Sequence, residues 1–387
     1  MRQIGRTERL HLWLNYGVGH AVRQFEETCR RFPDLSEALE LARHRRTAAF
    51  SFLPARAVER LTAAAVDGFL DAWIERLDGM DVDVVMPMHA NYPPLLKQIF
   101  DPPSVLYVKG SLALLPHVTI AVVGTRTPSD YGKRMAETFS YALAGAGACV
   151  VSGLAAGVDT YAAHGALATP GAACPTVAVL GSGIDVVYPR GNERLFAEIA
   201  EHGAVITEYL PGEAPLREHF PVRNRIVSGM SHGVLVVEAA ERSGTSITVG
   251  CAHEQGREVF AIPARITDIM SVGTNRLIQS GAAKPVFAVE DILCEFFHTT
   301  AAAGGIPAAQ EIALSSLSNE QRQVYAALKM GERSFDELFE MLGFGAGLLN
   351  STLTAMQFSG IIKQLPGRVY AADTLRTVVR GDELAEE

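Results

Sequence analysis

Thr119-Ile120-Ala121-Val122-Val123-Gly124-Thr125-Arg126 is a run of apolar and β-branched residues that ends in a glycine and then a cation. A strand with one wet face alternates apolar and polar residues, whereas a continuous apolar run suits a strand covered on both faces. Runs of the same texture recur at Thr176 to Leu180, Val234 to Glu238 and Glu258 to Ile262, with glycines and helical stretches between them. Buried strands alternating with helices predict an α/β fold built on a doubly wound, mostly parallel sheet. In such a sheet ligands bind beyond the carboxyl ends of the strands, so the loops that follow these runs are where function is expected.

This texture fills residues 81–297. The chain is 387 residues long, more than one average domain. Its 48% apolar and 20% charged content excludes a mainly disordered, collagenous or disulfide-rich protein. Residues 138–158 carry no charge, but Gly145, Gly147, Gly153 and Gly157 interrupt them and Cys149-Val150-Val151 reads as a buried strand, so no membrane insertion is expected. The five cysteines are odd in number and contain no C-x-x-C, which suits reduced core thiols. The start of the chain has no apolar run of signal-peptide length, and a cytoplasmic location is expected.

Residues 1–80 read as a helical domain, with 12 Arg and no Lys against 11 acids. Val58, Leu61, Ala65, Phe69, Trp73 and Leu77 fall on one stripe of a helix opening near Pro54. Gly17-Val18-Gly19 separates two helical stretches, as in a helix-hairpin-helix whose turn amides meet a phosphate; a tight interhelical turn is the simpler reading of this segment. Residues 298–312 are a linker rich in Ala and Gly. In 313–387, Ser318 with Gln321 and Ser334 with Glu337 are capping boxes, and Gly343 and Gly360 mark helix ends. With a hairpin turning at Pro366-Gly367, these predict a winged helix. Its third helix, Gly347 to Ser359, has no Lys or Arg, and residues 297–387 carry a net charge of −4, so a protein contact is favoured over DNA reading there.

The central segment repeats one device, an apolar strand, a Gly-rich turn and a helix start, which gathers free N–H groups around an anion. Its candidates are Gly124, Thr125 and Arg126, then Ser152 and Gly153, then Ser243 and Gly244. Beside them stand Arg190 and the run Arg223, Asn224, Arg225, and arginine suits phosphate because its planar fork donates two bonds at once. The competing role for any one arginine is an ion pair with Glu208, Glu238 or another acid. The segment is acidic, with a net charge of −6, so a phosphate groove would be a local basic pocket.

Enzyme signatures are weak. Gly181-Ser182-Gly183-Ile184-Asp185-Val186 lacks the third glycine of a dinucleotide fingerprint, and no Walker loop is present. Arg257 stands where a zinc motif opened by His253-Glu254 needs its second histidine. Ser152, Asp159 and His164 lack a G-x-S-x-G elbow, so Asp159 is expected to cap its helix instead. No cofactor or metal is expected.

The segments together resemble the DNA processing protein A family of bacteria (DprA, or Smf) over nearly the whole chain. The matching segments include Asn91-Tyr92-Pro93-Pro94, Val123-Gly124-Thr125-Arg126, Ser152 to Asp159, Tyr188-Pro189, Phe220 to Arg225, Ser243-Gly244-Thr245 and Gly273 to Ile278. The resemblance implies a Rossmann-like core, an N-terminal domain similar to SAM domains, and a winged helix. It also implies a non-catalytic single-stranded DNA-binding protein of natural transformation and recombination that protects incoming strands, helps load the RecA recombinase and forms a homodimer through the core. By motif match Gly124, Arg126 and Arg190 contact phosphates and the Ser152-Gly153 turn completes the pocket. Thr125 replaces the family's usual Ser, and Ala264-Arg265 replaces its usual Gly after Ile262-Pro263. The alternative is a nucleotide hydrolase resembling phosphoribohydrolases, with Glu238 as its acid.

Overall fold

The structure is a computed structural model and describes residues 4–241, 243–296, 310–365, 367–372 and 377–380. The chain forms two compact units, 1–304 and 305–387, and most of the expected linker lies outside the described residues.

In the first unit five helices, α1 (Arg6–Val18), α2 (Val22–Arg31), α3 (Leu35–Arg43), α4 (Ala55–Ala64) and α5 (Phe69–Gly79), precede the sheet. The strands are β1 (Asp83–Val85), β2 (Leu106–Gly110), β3 (Thr119–Val123), β4 (Cys149–Ser152), β5 (Thr176–Val179), β6 (Ala204–Thr207), β7 (Gly233–Val236), β8 (Glu258–Ala261) and β9 (Lys284–Pro285). Between and after them come α6 (Asp130–Gly145), α7 (Val158–Leu167), α8 (Glu193–His202), α9 (His219–Gly229), α10 (Thr245–Glu254), α11 (Val272–Gln279) and α12 (Glu290–Phe296).

The sheet order is β1-β2-β6-β5-β4-β3-β7-β8-β9. All neighbours from β6 to β9 pair in parallel, and β1 and β2 add an antiparallel edge. From β3 the chain steps outward through β4, β5 and β6, then returns to lay β7 on the other side of β3. Strand order therefore reverses between β3 and β7, where an open α/β sheet has its ligand crevice.

The apolar runs form buried strands because both faces are covered. Val177 and Val179 of β5 join Val123, Val234 and Val236 in one core, while Ala178 and Leu180 point the other way into a core with Tyr107 and Val205. The second core also takes Leu12 of α1 and Trp73 and Leu77 of α5, and the Tyr107 hydroxyl donates to Asn15 Oδ1 at 2.8 Å. Packing is thus continuous across residues 80 and 81, although Trp13, Phe25, Phe50 and Leu61 give the helices a core of their own.

The single helix expected from Pro54 to Leu77 is two. Gly68, left-handed at φ +82°, breaks it between α4 and α5, and both halves keep their apolar stripe inward. Gly17 lies inside α1, where a Cβ would meet Leu61 Cδ2 at 2.2 Å, and Gly19 ends that helix, so the segment is a tight interhelical turn. The uncharged stretch 138–158 is the end of α6, a turn, β4 and the loop after it, and no described helix is long and apolar enough to cross a membrane. All five cysteines are free; Cys149 and Cys174 are buried, but Cys294 is exposed rather than in the core.

The second unit holds β10 (Gln310–Ala313), α13 (Asn319–Lys329), β11 (Arg333–Ser334), α14 (Phe335–Leu342), α15 (Ala346–Phe358), β12 (Ile362–Leu365), β13 (Val369–Ala372) and β14 (Thr377–Arg380). Both capping boxes form, and Gly343 ends α14 in the left-handed conformation. Three helices around Val324, Leu338, Leu349 and Leu353 with the β11-β13-β12 sheet make a winged helix. Leu365 pairs with Val369, so Arg368 lies before the strand rather than opening it, and Pro366 of the expected turn lies outside the described residues.

Candidate functional site

The carboxyl ends of β3, β4, β5 and β7 bring the expected loops to one edge of the sheet, but the loops differ in what they leave open. After β3, Gly124 is required by packing: a Cβ would lie 2.6 Å from Val158 Cγ2 and 2.8 Å from the Glu238 carbonyl. Thr125 is buried, its amide donating to the Glu238 carbonyl at 2.7 Å and its hydroxyl accepting from the Thr127 amide. The loop thus turns outward at Arg126. Gly157, at φ +88°, would place a Cβ 2.4 Å from the Thr125 carbonyl, so it lets the β4 loop close over this turn.

Arg126 is exposed and makes no ion pair among the described residues; its guanidinium sits 5.5 Å from the centroid of the Phe220 ring. Tyr188 lies 5.6 Å from the same ring and is 44% exposed. Arg190, two residues on, is likewise exposed and unpaired among the described residues. One open cation, Arg126, therefore lies against a pair of aromatic rings, and a second, Arg190, follows two residues after one of them. The rings were in the quoted motifs yet not among the expected site residues; an aromatic residue beside each arginine segment was the available signal.

The β4 loop departs from expectation. Asp159 Oδ2 accepts from the Gly153 amide at 2.9 Å and the Ala155 amide at 3.3 Å, while the buried Ser152 hydroxyl accepts from Leu154. A carboxylate already occupies the place where Ser152 and Gly153 were expected to hold phosphate. Asp159 closes this loop rather than capping α7, which starts from Gly157. Burial raises the Asp159 carboxyl above its ordinary value, opposed by Arg223 and the two amides.

Arg223 and Arg225 are corrected as well, since both are buried. Arg223 donates to the carbonyls of Gly153 (2.7 Å) and Val179, tying the ends of β4 and β5 to α9, and its Nε donates to Asn224 Oδ1 at 3.3 Å. Gly153 makes room for it, because a Cβ there would lie 2.4 Å from an Arg223 nitrogen. Burial pushes the guanidinium down to about 10, against the pull of Asp159. Asn224, half-buried, orients Arg223. Arg225 bonds Asp101 at 2.9 Å and Glu208 at 2.7 Å, the competing role foreseen for it.

Burial pushes the Glu208 carboxyl up to about 7, with Arg225 opposing. A carboxyl raised on folding contributes stability that is complete below its unfolded value and lost as pH rises through the folded one. We therefore expect native protein to lose stability relative to Glu208→Gln between pH 4.5 and about 7, by up to about 3 kcal/mol, in parallel thermal melts. A constant difference across that range contradicts the assignment.

Glu238, 1% exposed, pairs with neither Arg223 nor Arg225. Its Oε2 accepts from the Ser129 amide at 2.8 Å and its Oε1 faces the Ser271 hydroxyl at 3.4 Å, fixing the start of α6 to the turn before α11. Gly132 yields the space, since a Cβ there would lie 2.2 Å from Glu238 Oε2. Exposed Gly244 is the N-cap residue of α10, and Ser243 before it accepts from the Thr245 amide at 3.2 Å and lines a cleft of about 460 Å³ that also holds the Arg276–Glu241 pair. Asn275 clamps both backbone groups of Ala264, and Arg265 is exposed in the same loop.

The geometry thus leaves Arg126, Arg190, Tyr188, Phe220 and the start of α10 available at one sheet edge, with the other arginines built into its frame. The sequence model of the DNA recombination-mediator protein A family matches residues 83–297, and that of the DprA winged helix domain matches 307–368. The DNA processing protein DprA of Streptococcus pneumoniae is 47% identical over 205 residues, 53% of this chain and 71% of that protein. Protein Smf of Escherichia coli is 46% identical over 192 residues, 49% of this chain and 50% of that protein. The S. pneumoniae DprA structure matches with a TM-score of 0.63 at 36% identity, covering 75% of this chain and 98% of that one. A structure of Helicobacter pylori DNA processing protein A, described as giving insight into its single-stranded DNA binding mode, matches with a TM-score of 0.50 at 31% identity, covering 55% and 94%.

Proposed function

The chain belongs to the DNA recombination-mediator protein A family, and from that membership we propose that it binds single-stranded DNA at the sheet edge in natural transformation and recombination. The observation that carries the reading is the exposed Arg126 guanidinium against the Phe220 ring, with Tyr188 beside that ring and exposed Arg190 two residues further along the chain, neither arginine in an ion pair among the described residues. Cations track the phosphates of a single strand while aromatic faces accept bases of any kind, which gives affinity without sequence readout. The start of α10, at Ser243 and Gly244, extends the same edge with a helix N-terminus, which favours an anion.

In this reading the protein is a binder and not a catalyst. It shields incoming strands, hands them to the RecA recombinase and works inside the cell as a homodimer through the Rossmann-like core. The hydrolase alternative is disfavoured by Glu238, whose buried carboxylate holds Ser129 and Ser271 instead of facing a substrate.

The test is where the affinity resides. A chain ending within the linker should bind a single-stranded oligonucleotide within about threefold of the full chain, because the cations that grip the backbone lie in the core. Loss of binding on removal of the winged helix contradicts the reading. Purine and pyrimidine monophosphates incubated with the protein should release no free base.

A further inference from the structure

We infer that the cleft between the α1–α2 turn, the start of α4 and the loop before α9 is a second phosphate-binding site on the path of the same single strand, with Arg56 and Arg60 as its cations. The inference rests on the single-strand reading and extends it to the N-terminal helices. The cleft encloses about 500 Å³ within the first unit. Arg56 is exposed and Arg60 half-buried, and neither forms an ion pair among the described residues; the Arg60 guanidinium lies 5.2 Å from the centroid of the Tyr16 ring.

One carboxyl faces them, that of Glu213, and burial raises it above its ordinary value against the pull of Arg60, His219 and Arg56. Two guanidiniums thus face one carboxyl, which leaves the cleft with an excess positive charge that a phosphodiester satisfies with bidentate bonds. The amides of the Gly17–Gly19 turn do little here: those of Gly19, Ala21 and Val22 already donate to backbone carbonyls. The site is made by side chains, with Gln24 and His20 also lining it.

Position argues for a shared strand rather than a separate anion. His219 lines the cleft, and the next residue, Phe220, carries the ring against Arg126. The first turn of α9 is thus a partition with the core cations on one side and Arg56 and Arg60 on the other. A backbone crossing it meets both sets, whereas a strand only a few nucleotides long occupies the core side alone.

The test compares full-length native protein, Arg56→Ala/Arg60→Ala and Arg56→Lys/Arg60→Lys, using oligothymidylates of about 6 and about 20 nucleotides over a salt series. For the longer strand the alanine variant should flatten the slope of log affinity against log salt by about 1.4, since each lost phosphate contact on a single strand removes about 0.7. The shorter strand should bind as to native protein, and the lysine variant should recover most of the slope. Native-like binding of the longer strand by the alanine variant overturns the second site. Equal losses on both lengths overturn it too, because the cleft would not then be an extension. The core reading is judged separately, by Arg126 and Arg190 variants on the shorter strand.

Discussion

Replacing Arg126 and Arg190 together by alanine should weaken single-stranded DNA binding roughly 10- to 30-fold near 0.1 M salt and flatten the log–log salt slope by about 1.4. Both guanidiniums are exposed and lack a carboxylate partner among the described residues, so their charge is available to phosphates and the fold does not depend on it. The loss should be the same for all base compositions, because phosphate contacts carry no sequence information. Fluorescence anisotropy with pyrimidine and purine oligonucleotides reads all three quantities, and an unchanged melting temperature shows that the frame is intact. A variant that binds as well as native protein with an unchanged slope removes these residues from the interface.

Arg225→Ala should do the opposite, leaving a damaged fold rather than a weakened surface. Arg225 bridges Asp101, in the segment before β2, to Glu208, just after β6. Glu208 is 1% exposed, and its Oε1 has no hydrogen-bond partner among the described residues even with the arginine present. Removing the cation breaks both ion pairs and drives the buried Glu208 carboxyl, already raised to about 7, to take up a proton, at an expected cost of about 3 kcal/mol. For a chain of this size that lowers the melting temperature by on the order of 10 °C. Arg225→Lys should recover only part of the loss, because one ammonium cannot replace the planar fork that reaches both acids. Thermal melts of the two variants at pH 7 check the expectation; a shift of less than a degree or two for the alanine variant contradicts it.

These contrasting outcomes mark the limit of what the sequence discloses. The strands were legible because Thr119 to Val123 and its counterparts are continuously apolar, and no other exposure pattern accommodates such runs. The winged helix was legible because its capping boxes and Gly343 are local signals. Which arginines face solvent was not. Arg223 and Arg225 sit two apart on α9, and so point to different sides of it, one toward the carbonyls ending β4 and β5 and the other toward Asp101 and Glu208. Asp101 lies 124 residues away in sequence, beyond the reach of any spacing rule.

The Asp159 carboxylate shows the same limit. Its acceptance of the Gly153 and Ala155 amides turns a loop that reads as a phosphate cradle into a closed structural turn. Gly124 shows the converse, a glycine placed in a phosphate motif whose backbone is also held by contact with Val158 and Glu238. Close packing and anion binding ask for the same residue type, and only coordinates separate the two demands. The break at Gly68 belongs to this class as well, since the apolar stripe continues across it and periodicity alone joins α4 to α5.

The most direct measurement of the central claim is a titration of native protein with matched single- and double-stranded oligonucleotides over a salt series. Tight single-strand binding at low salt is expected, with weaker double-strand binding and a linear fall of log affinity with log salt for the single strand whose slope includes about 1.4 from Arg126 and Arg190. Failure to bind the single strand at low salt, or binding with no salt dependence, contradicts it.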